Sequence, residues 1–298
     1  MMRKMKDVVA LIPTPLNEDG GLDETGLKRV IDFELENGCN GVGVLAAIGE
    51  AYFFDRAGWE NVIKVAAKHI NGHAPLMVGC PAMGTYPAVD LCKAAEALGA
   101  DAILAFNPQG FRSYTVNELI THYRALTDAV KIAIAPYSRL EDPIPVEVLK
   151  ALVDENRIPY MKFAWKNHAA LQETAKTMGD KLLIFCGADT LTLKYLLIGC
   201  RGVLTATAAM LPREHVELLS MVVKNDIDTA RAFYNERILP WNDIGFYDMN
   251  VWHSIHKAAL YHMGLISSPR VMTPQGSAAP WQLEEVRWLL KHQGKLKR

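Results

Sequence analysis

Lys162 interrupts an otherwise apolar run, Ile158-Pro159-Tyr160-Met161-Lys162-Phe163-Ala164. Alternation along a strand would aim its side chain into an interior. A lysine there loses hydration, its pKa falls, and it supplies the neutral amine that attacks a ketone. The competing reading is a lysine at a strand end whose stem snorkels out to water. Pattern alone leaves both open. His253 and His256 lie three apart on one helix face, with His262 beyond, a spacing that suggests a metal. They fall in the tail with no carboxylate close in sequence, so no metal is expected. Ser138 and Ser254 lack a G-x-S-x-G elbow. No G-x-G-x-x-G opens a helix, and no nicotinamide or flavin signature occurs, so no cofactor is expected.

The elements that would position Lys162 form a repeating pattern. Short, nearly continuous apolar runs read as parallel strands buried on both faces. They are Val8–Ile12, Gly41–Ala46, Pro75–Gly79, Asp101–Phe106, Val130–Ala135, Ile158–Ala164, Leu182–Cys186 and Gly202–Ala206. Amphipathic segments lie between them, including Glu24–Asn37, Arg56–Ile70, Pro87–Leu98 and Val116–Ala129. Asp23 and Thr115 are N-cap candidates, and Gly38, Gly72 and Gly99 sit just past helix ends. Eight strand signals alternating with helices predict an α/β fold, a (β/α)8 TIM barrel, over residues 1–225. From about Ile227 the strand signals stop. Asp228–Trp241, Val251–Met263 and Gln282–Gln293 predict a C-terminal helical extension over residues 226–298, packed on the barrel as part of one structural unit.

Barrel active sites form from the loops at the C-terminal ends of the strands. That focuses attention on Pro13–Pro15, Ala46–Glu50, Asn107-Pro108, Pro136–Arg139, Lys162–Asn167, Gly187–Asp189 and Thr205–Ala209. Few adjacent glycines follow strands 7 and 8, so the phosphate cradle of many barrels is not indicated.

Composition removes whole classes of function. The 298 residues are 50% hydrophobic and 22% charged, with net charge -1 and pI about 6.8. Nucleic-acid binding needs a clustered basic surface, and the only basic run of note is Lys295-Leu296-Lys297-Arg298. The five cysteines are odd in number and lack C-x-x-C spacing, which predicts reduced, packed thiols. The apolar run Val8–Ile12 is too short for a signal peptide, and no stretch reaches membrane-spanning length. A cytoplasmic protein with no membrane partner is expected.

The order and spacing of several short motifs resemble one family along nearly the whole chain. Ala10-Leu11-Ile12-Pro13-Thr14-Pro15, with Asp19-Gly20 and Leu22-Asp23, is similar to the first loop of the dihydrodipicolinate synthase / N-acetylneuraminate lyase family. Gly49-Glu50 resembles the end of that family's G-T-T-G-E motif. Gly79 with Thr85 and Ala88, then Gly99-Ala100-Asp101-Ala102, match its third and fourth units. Gly187-Ala188-Asp189, Gly199-Cys200-Arg201-Gly202, Lys257-Ala258-Ala259-Leu260, Gly264-Leu265 and Arg270 fit the rest. The resemblance implies that Lys162 forms a carbinolamine and then an imine with pyruvate or a related 2-oxo acid. It also implies a homodimer or homotetramer.

Departures from the family fall on its catalytic positions. Its G-T-T-G-E becomes Ala46-Ala47-Ile48-Gly49-Glu50, so both threonine hydroxyls are missing. Backbone N–H groups at Ala47 and Ile48 can still hold a carboxylate. The strand 5 tyrosine position falls near Ala135, and Tyr137, two residues on, either offers its hydroxyl to the same space or packs at the rim. The P-Y-Y loop is replaced by Pro108-Gln109-Gly110, which puts the Pro108–Arg112 interface in question. Trp165 would narrow the pocket or stack on substrate, and Lys166 would attract a second carboxylate or lower the Lys162 pKa by repulsion, unless both face solvent on the next helix. Arg139 lies where the family grips a substrate carboxylate. The candidate site is therefore Lys162 and Tyr137 for chemistry, with Ala47, Ile48, Arg139, Trp165 and Leu204 for binding. The expected function is a 2-oxo-acid lyase, either a retro-aldolase or a dehydratase on a deoxy sugar acid, rather than the lysine-biosynthetic condensation. The rivals are a non-catalytic oxo-acid-binding descendant and a metal-dependent barrel lyase.

Overall fold

The computed structural model describes residues 4–108, 113–246 and 248–297. Within it, eight parallel strands lie side by side in chain order. They are β1 Val9–Leu11, β2 Gly41–Val44, β3 Leu76–Cys80, β4 Ala102–Phe106, β5 Ala133–Ser138, β6 Tyr160–Phe163, β7 Leu183–Cys186 and β8 Gly202–Val203. The sheet closes on itself: Val203 N–H donates to Asp7 O at 2.8 Å and Leu11 N–H to Thr205 O at 3.1 Å. Helices α1 Glu24–Glu36, α2 Arg56–Ile70, α3 Thr85–Ala97 and α4 Val116–Ala129 surround the first half. Helices α5 Val146–Asp154, α6 His168–Met178, α7 Thr192–Ile198 and α8 Pro212–Val223 surround the second. This is a TIM barrel, followed by α9 Ile227–Arg237, α10 Leu239–Gly245, α11 Trp252–His262 and α12 Pro280–His292.

Local signals set the boundaries. Asp23 accepts from Gly26 N–H, and Thr115 forms a reciprocal capping box with Glu118. Gly38 and Gly99 take φ of +94° and +99°, the left-handed turn that ends a helix and that a Cβ would strain. Strand 5 departs from expectation: it begins at Ala133 and runs through Pro136 to Ser138. Glu96 Oε1 accepts the N–H groups of Lys131 (2.7 Å) and Ile132 (3.2 Å), which holds that stretch in a turn and delays the strand. Tyr137 therefore lies inside β5, paired with Lys162 in register, instead of beyond its end. The expected helix over 228–241 is two helices, broken at Ile238, because Pro240 has no N–H to continue the ladder.

Period-two alternation sorts the strand side chains into two cores. Val9, Leu11, Met77, Leu104, Phe106, Phe185 and Leu204 fill the barrel, while Val42, Val78, Ile103, Met161, Phe163 and Val203 face the helices. Lys162 falls between outward-facing Met161 and Phe163, so the strand itself turns it inward. The extension is tied to the first β/α unit. Ser267 N–H donates to Asp23 Oδ2 at 2.9 Å and Arg29 Nε to Leu265 O at 2.9 Å. Phe246, Met249 and Trp252 of the extension lie at the barrel mouth.

Candidate active site

A cavity of about 290 Å³ opens at the C-terminal end of the strands, with Lys162 in its wall. A larger hollow of about 560 Å³ lies outside the barrel beside α2 and α3 and contains none of the candidate chemistry. Lys162 is only 4% exposed. Burial pushes its pKa down from 10.5 to about 8, against the opposing pull of Asp189 and Cys186. Among the described residues no carboxylate lies within ion-pair distance of its Nζ. Gly187 makes room for the stem, since a Cβ there would overlap Cγ, Cδ and Cε of Lys162.

An aromatic wall faces the amine. The Nζ of Lys162 sits 4.1 Å from the centroid of the Tyr137 ring, a cation–π geometry for its charged form. Tyr137 thus presents its ring, and burial raises its phenol well above the usual range. Phe106 meets Tyr137 edge-on at 5.2 Å, and Tyr52 meets Phe106 at 5.4 Å. Arg139 lies over both Phe106 (5.5 Å) and Tyr137 (5.6 Å). Its fork is occupied by Asp142, with Nε to Oδ1 at 2.8 Å and Nη2 to Oδ2 at 2.9 Å. The guanidinium expected to grip a substrate carboxylate is therefore held by a carboxylate of its own chain three residues away.

The loop after β2 supplies the opposite wall. Leu45 and Glu50 both adopt left-handed φ, of 56° and 60°, and turn Ala47 and Ile48 toward the cavity they line. Neither N–H has an acceptor among the described residues. Unpaired backbone N–H groups in a loop that lines a cavity can hold a carboxylate whatever the side-chain type. Three ties hold the loop. Thr14 Oγ1 donates to Gly49 O at 2.7 Å, and His253 Nε2 bonds to Ala47 O at 2.9 Å. Glu50, fully buried, pairs with the buried Lys257 and accepts Met272 N–H at 2.7 Å. Since Ala47 O can only accept, His253 carries its proton on Nε2. Burial lowers its pKa and keeps the ring neutral.

On the β7 side, Asp189 is 6% exposed and lines the cavity. Its Oδ1 accepts both the N–H and the hydroxyl of Thr207, each at 2.7 Å. Asn242 of α10 donates to its backbone oxygen at 2.9 Å. The roof comes from the extension through Phe246, Met249 and Trp252.

The structure gathers Lys162, Tyr137, Ala47, Ile48 and Arg139 around one cavity and leaves two expected binders outside it. Trp165 keeps the alternation of β6: Ala164 and Lys166 face the cavity with Lys162, while Trp165 follows Phe163 outward. It packs 6.4 Å from Phe163, and its carbonyl accepts Tyr195 OH at 2.9 Å. Leu204 is fully buried in the barrel filling, one inward position before Ala206, which lines the cavity. His256 bonds through Nδ1 to Trp252 O at 2.9 Å. Of the replaced loop, Gln109–Arg112 lie outside the described residues. Asp189, His253 and the roof residues were not among the expected site residues. Asp189 stood at a flagged strand end, and the period-three spacing of Phe246, Met249 and Trp252 was the only sequence trace of the roof.

The chain is similar to known proteins along nearly its whole length. The sequence profile of the dihydrodipicolinate synthetase family matches residues 4–293. A 4-hydroxy-tetrahydrodipicolinate synthase from Nitrosococcus oceani is 32% identical over 263 residues, covering 87% of this chain and 88% of that protein. One from Sulfurihydrogenibium sp. is 29% identical over 294 residues, covering 97% and 98%. The dihydrodipicolinate synthase of Aquifex aeolicus superposes with a TM-score of 0.91 at 26% identity, over 99% of this chain and 100% of that one. A chloride-inhibited dihydrodipicolinate synthase from Acinetobacter baumannii, solved with pyruvate, gives 0.89 at 26% identity over 98% and 99%.

Proposed function

Since the chain belongs to the dihydrodipicolinate synthetase family, we propose that it is a lyase acting on a small 2-oxo acid through a Schiff base on Lys162. The observation that carries this reading is a buried amine, lowered to a pKa of about 8, opening on a cavity with free N–H groups across from it. The neutral amine adds to the C2 ketone, and the carbinolamine loses water to give an iminium. The carboxylate is held at the N–H groups of Ala47 and Ile48. The cationic nitrogen then accepts an electron pair from C3, either as a C3–C4 bond breaks or as C3 loses a proton and C4 a hydroxyl.

The reading departs from the activity named for the relatives. Ala47 and Ile48 stand where the family motif has hydroxyls, and Tyr137 turns its ring to the amine. A condensation that shuttles protons through those hydroxyls lacks its relay here, whereas aldol cleavage and dehydration both run from the iminium. Assembly as a homodimer or homotetramer in the cytoplasm goes with this reading.

Incubation with pyruvate and borohydride, followed by peptide mass analysis, tests it. The expected result is a reduced adduct on Lys162. Absence of an adduct with each of several 2-oxo acids overturns the proposal. The same missing relay favours a second reading, a barrel that binds oxo acids without turnover. An adduct with no cleavage or dehydration of any 2-oxo acid would support that one.

A further inference from the structure

Polarity is unevenly distributed around the cavity. Its charged groups cluster on the β5–β7 side: Arg139, Glu141, Lys162, Lys166 and Asp189. The far side, built from β1, β8 and the extension, is hydrocarbon and aromatic: Leu11, Ala206, Phe246, Met249 and Trp252. Phe246 and Trp252 lie 5.7 Å apart, tilted by 44°. Leu140 and Met249, at the mouth, are 60% and 56% exposed, large apolar groups with nothing over them. The thioether of Met249 is the side chain best able to reshape itself around an apolar guest.

Part of the charged side is already committed within the chain, though Thr190 adds a hydroxyl on the β7 side. Arg139 is forked onto Asp142, and Lys166 shares the rim with Glu141, of opposite sign. One oxygen of Asp189 is taken twice by Thr207. Among the described residues no side-chain hydroxyl lines the far wall, and its polar side-chain atom is the unpartnered indole N–H of Trp252. That N–H can serve one acceptor; each further substrate hydroxyl pressed there would lose its water without gaining a partner, a penalty of roughly tenfold or more in affinity per group. A ring or short hydrocarbon would fill the same space favourably, and the volume of about 290 Å³ limits it to about one ring beyond the oxo acid.

We infer that the substrate beyond C3 is uncharged and apolar: the chain makes and cleaves 4-hydroxy-2-oxo acids whose C4 carries an aryl or hydrocarbon group. The inference rests on the Schiff-base reading above and adds the nature of the aldehyde partner. In the cleavage direction the C3–C4 bond breaks and its electron pair enters the iminium, giving an enamine. The C4 hydroxyl proton passes to the second oxygen of Asp189, which has no hydrogen bond within the chain among the described residues. The aldehyde leaves, the proton returns to C3, and water releases pyruvate from Lys162.

The test uses the full chain with pyruvate and one of three aldehydes: benzaldehyde, glyceraldehyde or glyoxylate. Product 4-hydroxy-2-oxo acid is measured by chromatography and mass, beside borohydride trapping with pyruvate alone. The expected kcat/KM for benzaldehyde exceeds that for each of the other two by about tenfold or more. Trp252→Ala and Met249→Gln should each narrow that ratio. Intact trapping with preference for glyoxylate or glyceraldehyde, or with turnover of no aldehyde, overturns the inference and leaves the Schiff base standing. Absent trapping overturns the underlying reading itself.

Discussion

The lowered pKa of Lys162 makes the rate of imine formation a direct report on its burial. At its ordinary value of 10.5, only about one amine in three thousand would be neutral at pH 7. At about 8 the fraction is about one in ten, a gain of roughly 300-fold in nucleophile. The pyruvate-dependent rate of reductive trapping, followed by adduct mass under a slow hydride donor, should therefore rise tenfold per pH unit and level off near pH 8. Asp189 opposes the shift by favouring the charged ammonium, so Asp189→Asn should move the plateau to lower pH. A profile that climbs without a break toward 10.5 would show a solvated lysine and refute the desolvation argument. An upward shift in Asp189→Asn would refute the assigned direction of its effect.

The same burial has a stability side. The folded pKa lies below the unfolded one, so between pH 8 and 10.5 only the unfolded state binds the proton, and stability rises with pH across that window. Lys162→Met should remove the penalty and raise the Tm at pH 7 by a few degrees, a gain of at most about 3 kcal/mol, while abolishing the adduct. Gly187→Ala places a Cβ against the Lys162 stem, and trapping should slow by about a hundredfold with the circular dichroism spectrum unchanged. Lys257→Met leaves Glu50 buried without its cation and should cost about 3–5 kcal/mol in denaturant unfolding at neutral pH. His253→Phe loses the bond to Ala47 O, and the pyruvate concentration for half-maximal trapping should rise about fivefold with the limiting rate little changed.

Much of this site was legible because burial makes polarity conspicuous. A lysine amid Met161, Phe163 and strand-forming neighbours is costly unless it works, and period-two alternation alone turned it inward. The same alternation would have sent Trp165 outward, but its bulk beside the lysine suggested a pocket wall, and that expectation failed. Arg139 shows a different limit. Asp142 lies only three residues away, yet the sequence does not reveal whether a guanidinium fork closes on a neighbour or waits for a ligand. The start of β5 was missed because the group that delays it, Glu96, lies 35 residues earlier. His253 reaches Ala47 across 206 residues, a contact set by how the extension folds back and marked by no local pattern. Boundaries and alternation are local physics; roofs and second partners are not.

Two lysines are buried among the described residues, and the contrast between them bears on what Lys162 is for. Lys257, fully enclosed, is paired with Glu50 and also donates to Arg270 O at 2.9 Å. That is how a protein tolerates an ammonium in its interior, by surrounding it with acceptors until the charge is stable. Lys162 is almost as enclosed, yet it has no hydrogen bond or ion pair among the described residues, only the face of Tyr137. A ring face attracts a cation but takes no proton from an amine and blocks none of its lone pair. Asp189 is near enough to act through space, yet its Oδ1 is turned to Thr207. A lysine kept merely for packing would be more stable as methionine, and one kept for its charge would be paired as Lys257 is. On the Schiff-base reading, the use of an unpaired amine at the edge of a cavity is to give up its proton readily and react there, and to carry positive charge again as an iminium against that ring.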